Sequence, residues 1–208
     1  MKVQAVTFCA YDIRALQACR KTILHLPLER SFTDPVQPQD LLWVREAAYI
    51  CRGGINNPPG FAPAVGRGSV GYESSLDSDG HCAARQLRIR LTPASKMPRF
   101  ASRFTLLVKA VREISLDQMS ELEARRSGIW FDGRHYRGGH HSVRGTLNRH
   151  GSALAAFRDQ WASLYTNTDY SLHRNPPILR VGFTAIAQNV DAYLASIEPG
   201  AAPMPRPG

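Results

Sequence analysis

Lysine is scarce in this basic chain: it occurs only at Lys2, Lys21, Lys96 and Lys109, so 22 of the 26 basic side chains are arginine. No apolar run approaches the ~18 residues that span a bilayer, and the N-terminus lacks the apolar segment of a signal peptide. Four cysteines, Cys9, Cys19, Cys51 and Cys82, are scattered with no Cys-x-x-Cys pair, which removes the usual thiol metal knuckle and redox motif. We expect reduced thiols in a cytoplasmic protein. His135, His140, His141 and His150 lie in a Gly/Arg-rich stretch without carboxylates or thiolates at ligand spacing, so no metal and no cofactor is expected. There is no internal repeat.

What is present is an excess of positive charge. Net charge is +9, from 26 Lys+Arg against 17 Asp+Glu, over 208 residues. Arginine offers a planar fork of donors that matches phosphate and stacks on bases, so the balance favours a nucleic-acid partner over an acidic protein. A hydrophobic fraction of 43% and this length suit one well-buried core.

Val3 to Phe8 alternates apolar and polar residues and reads as a strand; residues 12–18 follow with helical spacing of Ile13 and Leu16. Leu41–Arg45 is expected as a short strand continued by Ala47–Cys51, and Ser69 to Ser74 as another carrying Tyr72. Leu87–Leu91 alternates as a strand or extended arm. Arg103 to Val111 is the clearest strand, with Phe104, Leu106, Val108 and Ala110 on one face. Leu116–Arg126 behind Ser115, and Ser152–Leu164 with Leu154, Phe157, Trp161 and Leu164 on one stripe, are expected helices. Trp161 is expected in the core. Ile178–Ile186 closes the domain as a strand. The Gly/Pro/Asn-rich residues 52–68 and the basic, aperiodic residues 128–151 are expected loop insertions into a single domain over 1–197, and 198–208 a disordered Pro-rich tail. Strands bracketed by two or three helices without a βαβ rhythm imply an α+β fold with a mainly antiparallel sheet.

Three runs put cations beside aromatic or carboxylate groups: Arg20-Lys21-Thr22, Leu42-Trp43-Val44-Arg45-Glu46 and Met97-Pro98-Arg99-Phe100-Ala101-Ser102-Arg103. Their order and spacing, with the Asn175-Pro176 step before the last strand, resemble the ASCH branch of the PUA-like superfamily, in particular its larger phage and prophage members, over about Val3 to Phe183. The resemblance implies a small β pseudo-barrel whose cleft is bordered by the first helix. It places Lys21 in that cleft. In small members that deacetylate N4-acetylcytidine, this lysine works with a threonine three residues on and a glutamate after the second helix; here Leu24 and Ser127 occupy those positions. A threonine nucleophile needs its hydroxyl and an activating base, so that amidohydrolase chemistry is not expected.

Around Lys21 the motifs supply further candidates. Trp43 and Arg45 share one strand face, Val44 and Glu46 the other. Trp43 is expected to be core, with Arg45 either a ligand contact or paired to an acid such as Glu46. Glu46 suits an exocyclic amine, as carboxylates do cytosine N4, and Tyr72 suits base stacking. Arg99 and Arg103 flank an Ala-Ser step where backbone and Ser102 hydroxyl can approach a phosphate. The expected function is binding of RNA or a nucleotide-like ligand in a basic cleft formed by Lys21, Arg45, Glu46, Tyr72, Arg99, Ser102 and Arg103. The rivals are a ribonuclease or modified-nucleobase hydrolase using Lys21, and a phage accessory protein that binds a host protein.

Overall fold

The computed structural model describes residues 1–28, 32–51, 58–63, 68–138 and 149–197. Strands β1 (Val3–Thr7), β2 (Ile23–Pro27), β3 (Leu41–Arg45), β8 (Thr105–Ser115) and β11 (Pro177–Ile186) form one sheet in the order β1-β3-β8-β11-β2. Its β1–β3 pair is parallel and the remainder antiparallel. A second sheet, in the order β5-β6-β4-β7, is built from β4 (Ala48–Cys51), β5 (Ala62–Pro63), β6 (Ser69–Tyr72) and β7 (Leu91–Thr92). The hairpin β9 (Trp130–Phe131) and β10 (Tyr136–Arg137) stands apart. Among the described residues five α-helices complete the fold: α1 (Ala10–Gln17), α2 (Ser78–Gln86), α3 (Glu121–Arg126), α4 (Ala153–Tyr165) and α5 (Val190–Ile197). The architecture is α+β.

One apolar cluster takes residues from every strand of the large sheet or its immediate flank: Val6 and Phe8, Leu24, Leu42 and Val44, Leu106 and Val108, and Val181 and Phe183, with Ile13 and Leu16 of α1. Both edge strands, through Val6 and Thr7 of β1 and Leu24 and Leu26 of β2, line one cavity with Asp12 of α1, so the sheet curls to bring its two edges towards each other. It stays open, because β1 and β2 are its two edges. The pseudo-barrel implied by the resemblance is thus a curled, unclosed sheet among the described residues, accompanied by five helices rather than two or three.

The alternation leading into β8 holds through Val108, with Phe104, Leu106 and Val108 buried, but the pairing with β11 skips Lys109, and Val111 rather than Ala110 then packs against the core cluster. Ser152 caps α4 by accepting a hydrogen bond from Ala155 N at 3.1 Å, and Trp161 is buried. Elsewhere the chain departs from expectation. Residues 116–126 do not make one helix, since β8 runs on to Ser115, a 3-10 turn covers Leu116–Gln118, and Ser120 starts α3 with a capping box to Glu123. Ala48–Cys51 does not extend β3; it belongs to the second sheet. Besides β5 and the β9–β10 hairpin, which fall inside the expected loop insertions, three elements were not expected. β2 lacks alternation because both its faces are covered, Leu24 by the core under the sheet and His25 by Phe157 of α4. α2 has no long apolar stripe and starts at the Asp77 carboxylate, which accepts from Gly80 N at 2.8 Å. α5 is the third. Of the two expected insertions, residues 52–57, 64–67 and 139–148 lie outside the described residues, as does the 198–208 tail. No helix among the described residues is long and apolar enough to cross a membrane.

Candidate functional site

Lys21 is fixed by the way α1 ends. Cys19 adopts a left-handed conformation, φ 54°, and Ala15 O accepts from both Arg20 N and Lys21 N, turning the chain back. Lys21 then forms an antiparallel bridge with Ser127, and Thr22 N donates to Arg126 O at 2.8 Å. Gly128 allows this approach: its φ is +111°, and a Cβ there would stand 3.2 Å from Ala15 Cβ.

The Lys21 side chain is only 8% exposed. Its Nζ donates to Ser127 O at 2.7 Å and lies 3.1 Å from Asp12 Oδ1, over the Phe8 ring at 5.5 Å. A buried ammonium needs such partners, since an unpaired one would be neutralised. The other Asp12 oxygen accepts from the Cys9 thiol at 3.3 Å. Burial, and then the Asp12 charge, push the Cys9 thiol up to about 11, so it stays protonated and weakly nucleophilic near neutral pH.

These groups open on a cavity of about 310 Å³ between the two free edges of the sheet, with Thr7 on the β1 side and Leu24, His25 and Leu26 on the β2 side. Its roof is α4, which contributes Phe157, Trp161, Leu164 and Tyr165. Trp161 is anchored through Nε1, donating to Tyr170 O at 2.7 Å. The N-terminus of α4 is held by Glu121, whose two oxygens accept from Ala153 N at 2.7 Å and Leu154 N at 2.9 Å. His25 packs edge-on against Phe157 at 5.3 Å, and among the described residues neither of its ring nitrogens has a hydrogen-bond partner. Burial and the Lys21 charge lower its pKa to about 3, so the ring is neutral and offers one donor and one acceptor.

A second pocket of about 570 Å³ continues the groove, sharing Val6, Thr7, Leu26 and Tyr165 with the first and adding Arg45, Asn167 and Thr168. Arg45 stands 5.9 Å over the half-buried Trp43 and donates from Nη1 to Ser95 O at 3.2 Å. It does not pair with Glu46, and among the described residues its Nε has no partner.

The seven residues expected in one cleft fall into three places. Lys21 and Arg45 line the joined groove. Glu46, Tyr72, Ser102 and Arg103 instead satisfy one another or the backbone: Arg103 binds Glu46 through two nitrogens and stacks 4.0 Å over Tyr72, Tyr72 donates to Ala101 O at 3.0 Å, and the Ser102 hydroxyl donates to Val44 O at 2.9 Å. Burial above all holds the Tyr72 phenol up at about 12. Arg99 pairs with Asp191 of α5 at 2.5 Å. Asn189 donates to the carbonyls of Arg99 and Ser102, both at 2.9 Å, so this motif fastens the start of α5. The sequence reading missed Asp12 and His25. Asp12 had a signal, the Cys9-x-x-Asp12 spacing of a capping box, whereas a histidine inside an apolar strand carries none. Among the described residues no three His, Cys, Asp or Glu side chains are placed to hold a metal ion. In comparisons with known proteins, no family model matches the chain, nor does any curated protein or solved structure.

Proposed function

We propose that this chain is an ASCH-like member of the PUA-like superfamily that binds RNA or a nucleotide-like ligand in the groove between the two free edges of its curled sheet. The single observation that carries this is the pairing of an orphaned, neutral imidazole with a buried ammonium inside an aromatic-roofed cavity of about 310 Å³. Small-ligand sites are typically ~300–1,000 Å³ with apolar walls and a few fixed polar groups. A planar heterocycle fits that description: its face meets Trp161 and Phe157, and a turn of the His25 ring would bring one of its two buried nitrogens to the ligand's edge. Arg45 in the adjoining pocket supplies a cation for phosphate.

Lys21, Leu24 and Ser127, the three positions that the resemblance assigns to a catalytic cleft, all line the same cavity, which supports the alignment. Binding is favoured over amide hydrolysis there, because Leu24 has no hydroxyl and Ser127 no carboxylate, and the nearby Cys9 thiol is held protonated. The test is mass spectrometry of RNA and nucleosides copurifying with the protein, followed by calorimetric titration of nucleoside monophosphates. A Lys21→Met or His25→Phe variant that melts like the parent should lose binding at least tenfold. Nucleotide affinity unchanged by both substitutions overturns this assignment of the site.

A further inference from the structure

On the other side of the Lys21–Ser127 bridge lies a surface that the groove does not use. Lys21 and Ser127 face the cavity, whereas their chain neighbours Arg20 and Arg126 line a shallow depression of about 650 Å³. The β9–β10 hairpin presents its aromatic side chains there. Trp130 is 36% and Phe131 53% exposed. Arg20 lies 5.3 Å over the Trp130 ring and Arg125 5.1 Å over Tyr136, while Phe131 and Tyr136 sit with ring centroids 5.0 Å apart.

Large exposed aromatics in a cluster mark an interaction surface, and their company here says of what kind. Among the described residues, three arginines line the depression and no carboxylate does. Arg125 pairs with Glu121 at 3.9 Å, exposed on both sides, which neutralises little, and Asp132 in the hairpin turn is already paired with Arg137. Among the described residues, Arg20 and Arg126 have no carboxylate within 4.0 Å. Aromatic faces interleaved with unpaired guanidinium groups are what unstacked bases on a phosphate backbone require: each base finds a ring or an Arg plane, and each phosphate a cation. Duplex RNA hides its base faces, so a single-stranded segment is the form that fits.

We propose that the Arg20, Trp130, Phe131, Arg125, Arg126 and Tyr136 surface is a stacking platform for single-stranded RNA, distinct from the groove. One backbone bridge separates the two, so a strand crossing it can leave one nucleotide in the cavity and stack the next on the hairpin. The platform does not require the cavity to be occupied.

Fluorescence anisotropy with a labelled oligouridylate tests this. Trp130→Ala/Phe131→Ala should weaken binding about tenfold or more, the loss expected of one to two base stacks. Arg20→Ala/Arg126→Ala should weaken it and flatten its salt dependence by about two counterions. Arg85→Ala/Arg90→Ala, which removes the same formal charge from exposed positions elsewhere, should change affinity less than about threefold. Melting is checked for each, and ultraviolet crosslinking of the unaltered protein gives a readout free of mutation, with adducts expected at Trp130, Phe131 or Tyr136. Four results overturn the proposal: no binding of oligouridylate, equal loss from the Arg85/Arg90 control, displacement of the RNA by polyglutamate at matched charge, or crosslinks confined to other surfaces. Equal or tighter binding of oligothymidylate overturns the assignment to RNA. Titration of uridine monophosphate with Lys21→Met reports on the groove separately, so failure of either site is recognisable.

Discussion

Glu46 and Arg103 form a two-pronged ion pair: Arg103 Nε meets Glu46 Oε1 at 2.8 Å and Nη2 meets Oε2 at 2.9 Å, with the Glu46 side chain 2% exposed. The pair joins the turn after β3 to the start of β8, and Ser74 adds a hydroxyl to both partners, donating to Glu46 at 2.7 Å and accepting from Arg103 at 2.8 Å. Arg103→Ala removes the only cation that, among the described residues, pairs with this buried carboxylate, and strips the stacking partner from Tyr72. A loss of about 3 kcal/mol in denaturant unfolding is expected, at the lower end for a broken buried pair because Arg103 keeps some contact with water. A loss under about 1 kcal/mol would show the pair to be solvated and would return Arg103 to the list of free cations.

That pair also shows where reading the sequence stops. Strand β8 was legible because one face packs on the core, so alternation survives, and α4 was legible from Ser152 and an apolar stripe. Glu46 and Arg103 are 57 residues apart, and nothing local to either says that they neutralise each other. Three conspicuous motifs supplied cations but not their partners. Asp12 for Lys21, Glu46 for Arg103 and Asp191 for Arg99 are all supplied by tertiary structure. β2 was missed for a related reason, since burial on both faces erases the period-two signal.

His25 should make stability depend on pH in a window clear of the carboxylates. Its folded pKa, about 3, lies below the ordinary 6.5. Protons therefore bind the unfolded chain first. Stability is complete above pH 6.5 and falls as pH drops towards 3, with a slope of up to about 1.4 kcal/mol per pH unit. Lys21 and Arg180 oppose the imidazolium, and only Glu123 favours it. Between pH 6 and 5, where few carboxylates have begun to titrate, His25→Phe should remove most of the slope measured by urea unfolding. An unchanged slope in a folded variant would mean that His25 is protonated in the native state.

Thiol labelling distinguishes the cysteines by environment. Cys19 and Cys82 are exposed, Cys51 is buried and Cys9 is held protonated beside Asp12. Ellman's reagent at pH 8 should modify two thiols quickly in the native protein and all four in denaturant. Rapid native modification of Cys9, located by mass spectrometry, would show a reactive thiol in the cavity and reopen nucleophilic chemistry there.

Glu121 should link helix capping to ligand affinity. Its carboxylate receives two backbone N–H groups at the start of α4, the roof of the cavity. Glu121→Gln retains shape and loses charge, so a destabilisation of about 1 kcal/mol is expected from the lost charge–dipole and charge-assisted bonds. Because Trp161 and Tyr165 ride on the same helix, nucleotide binding should weaken with it, and raised salt should shrink the stability difference. Destabilisation without any change in binding would separate α4 from the site.

Hydrolysis of N4-acetylcytidine should be negligible even at high protein concentration. The cavity holds Lys21 in place, but Leu24 stands where a nucleophilic hydroxyl is needed and Ser127 where a carboxylate is needed, while the nearest carboxylate, Asp12, is already shared between Lys21 and Cys9. An ammonium can steady the developing oxyanion, but water is a poor nucleophile for an amide unless a base removes its proton, so the gain is small. Incubation with N4-acetylcytidine, followed by quantitation of acetate and cytidine, checks this directly. Acetate release abolished by Lys21→Met and by Asp12→Asn would make Asp12 the missing base and turn the groove from a binding site into a catalytic one.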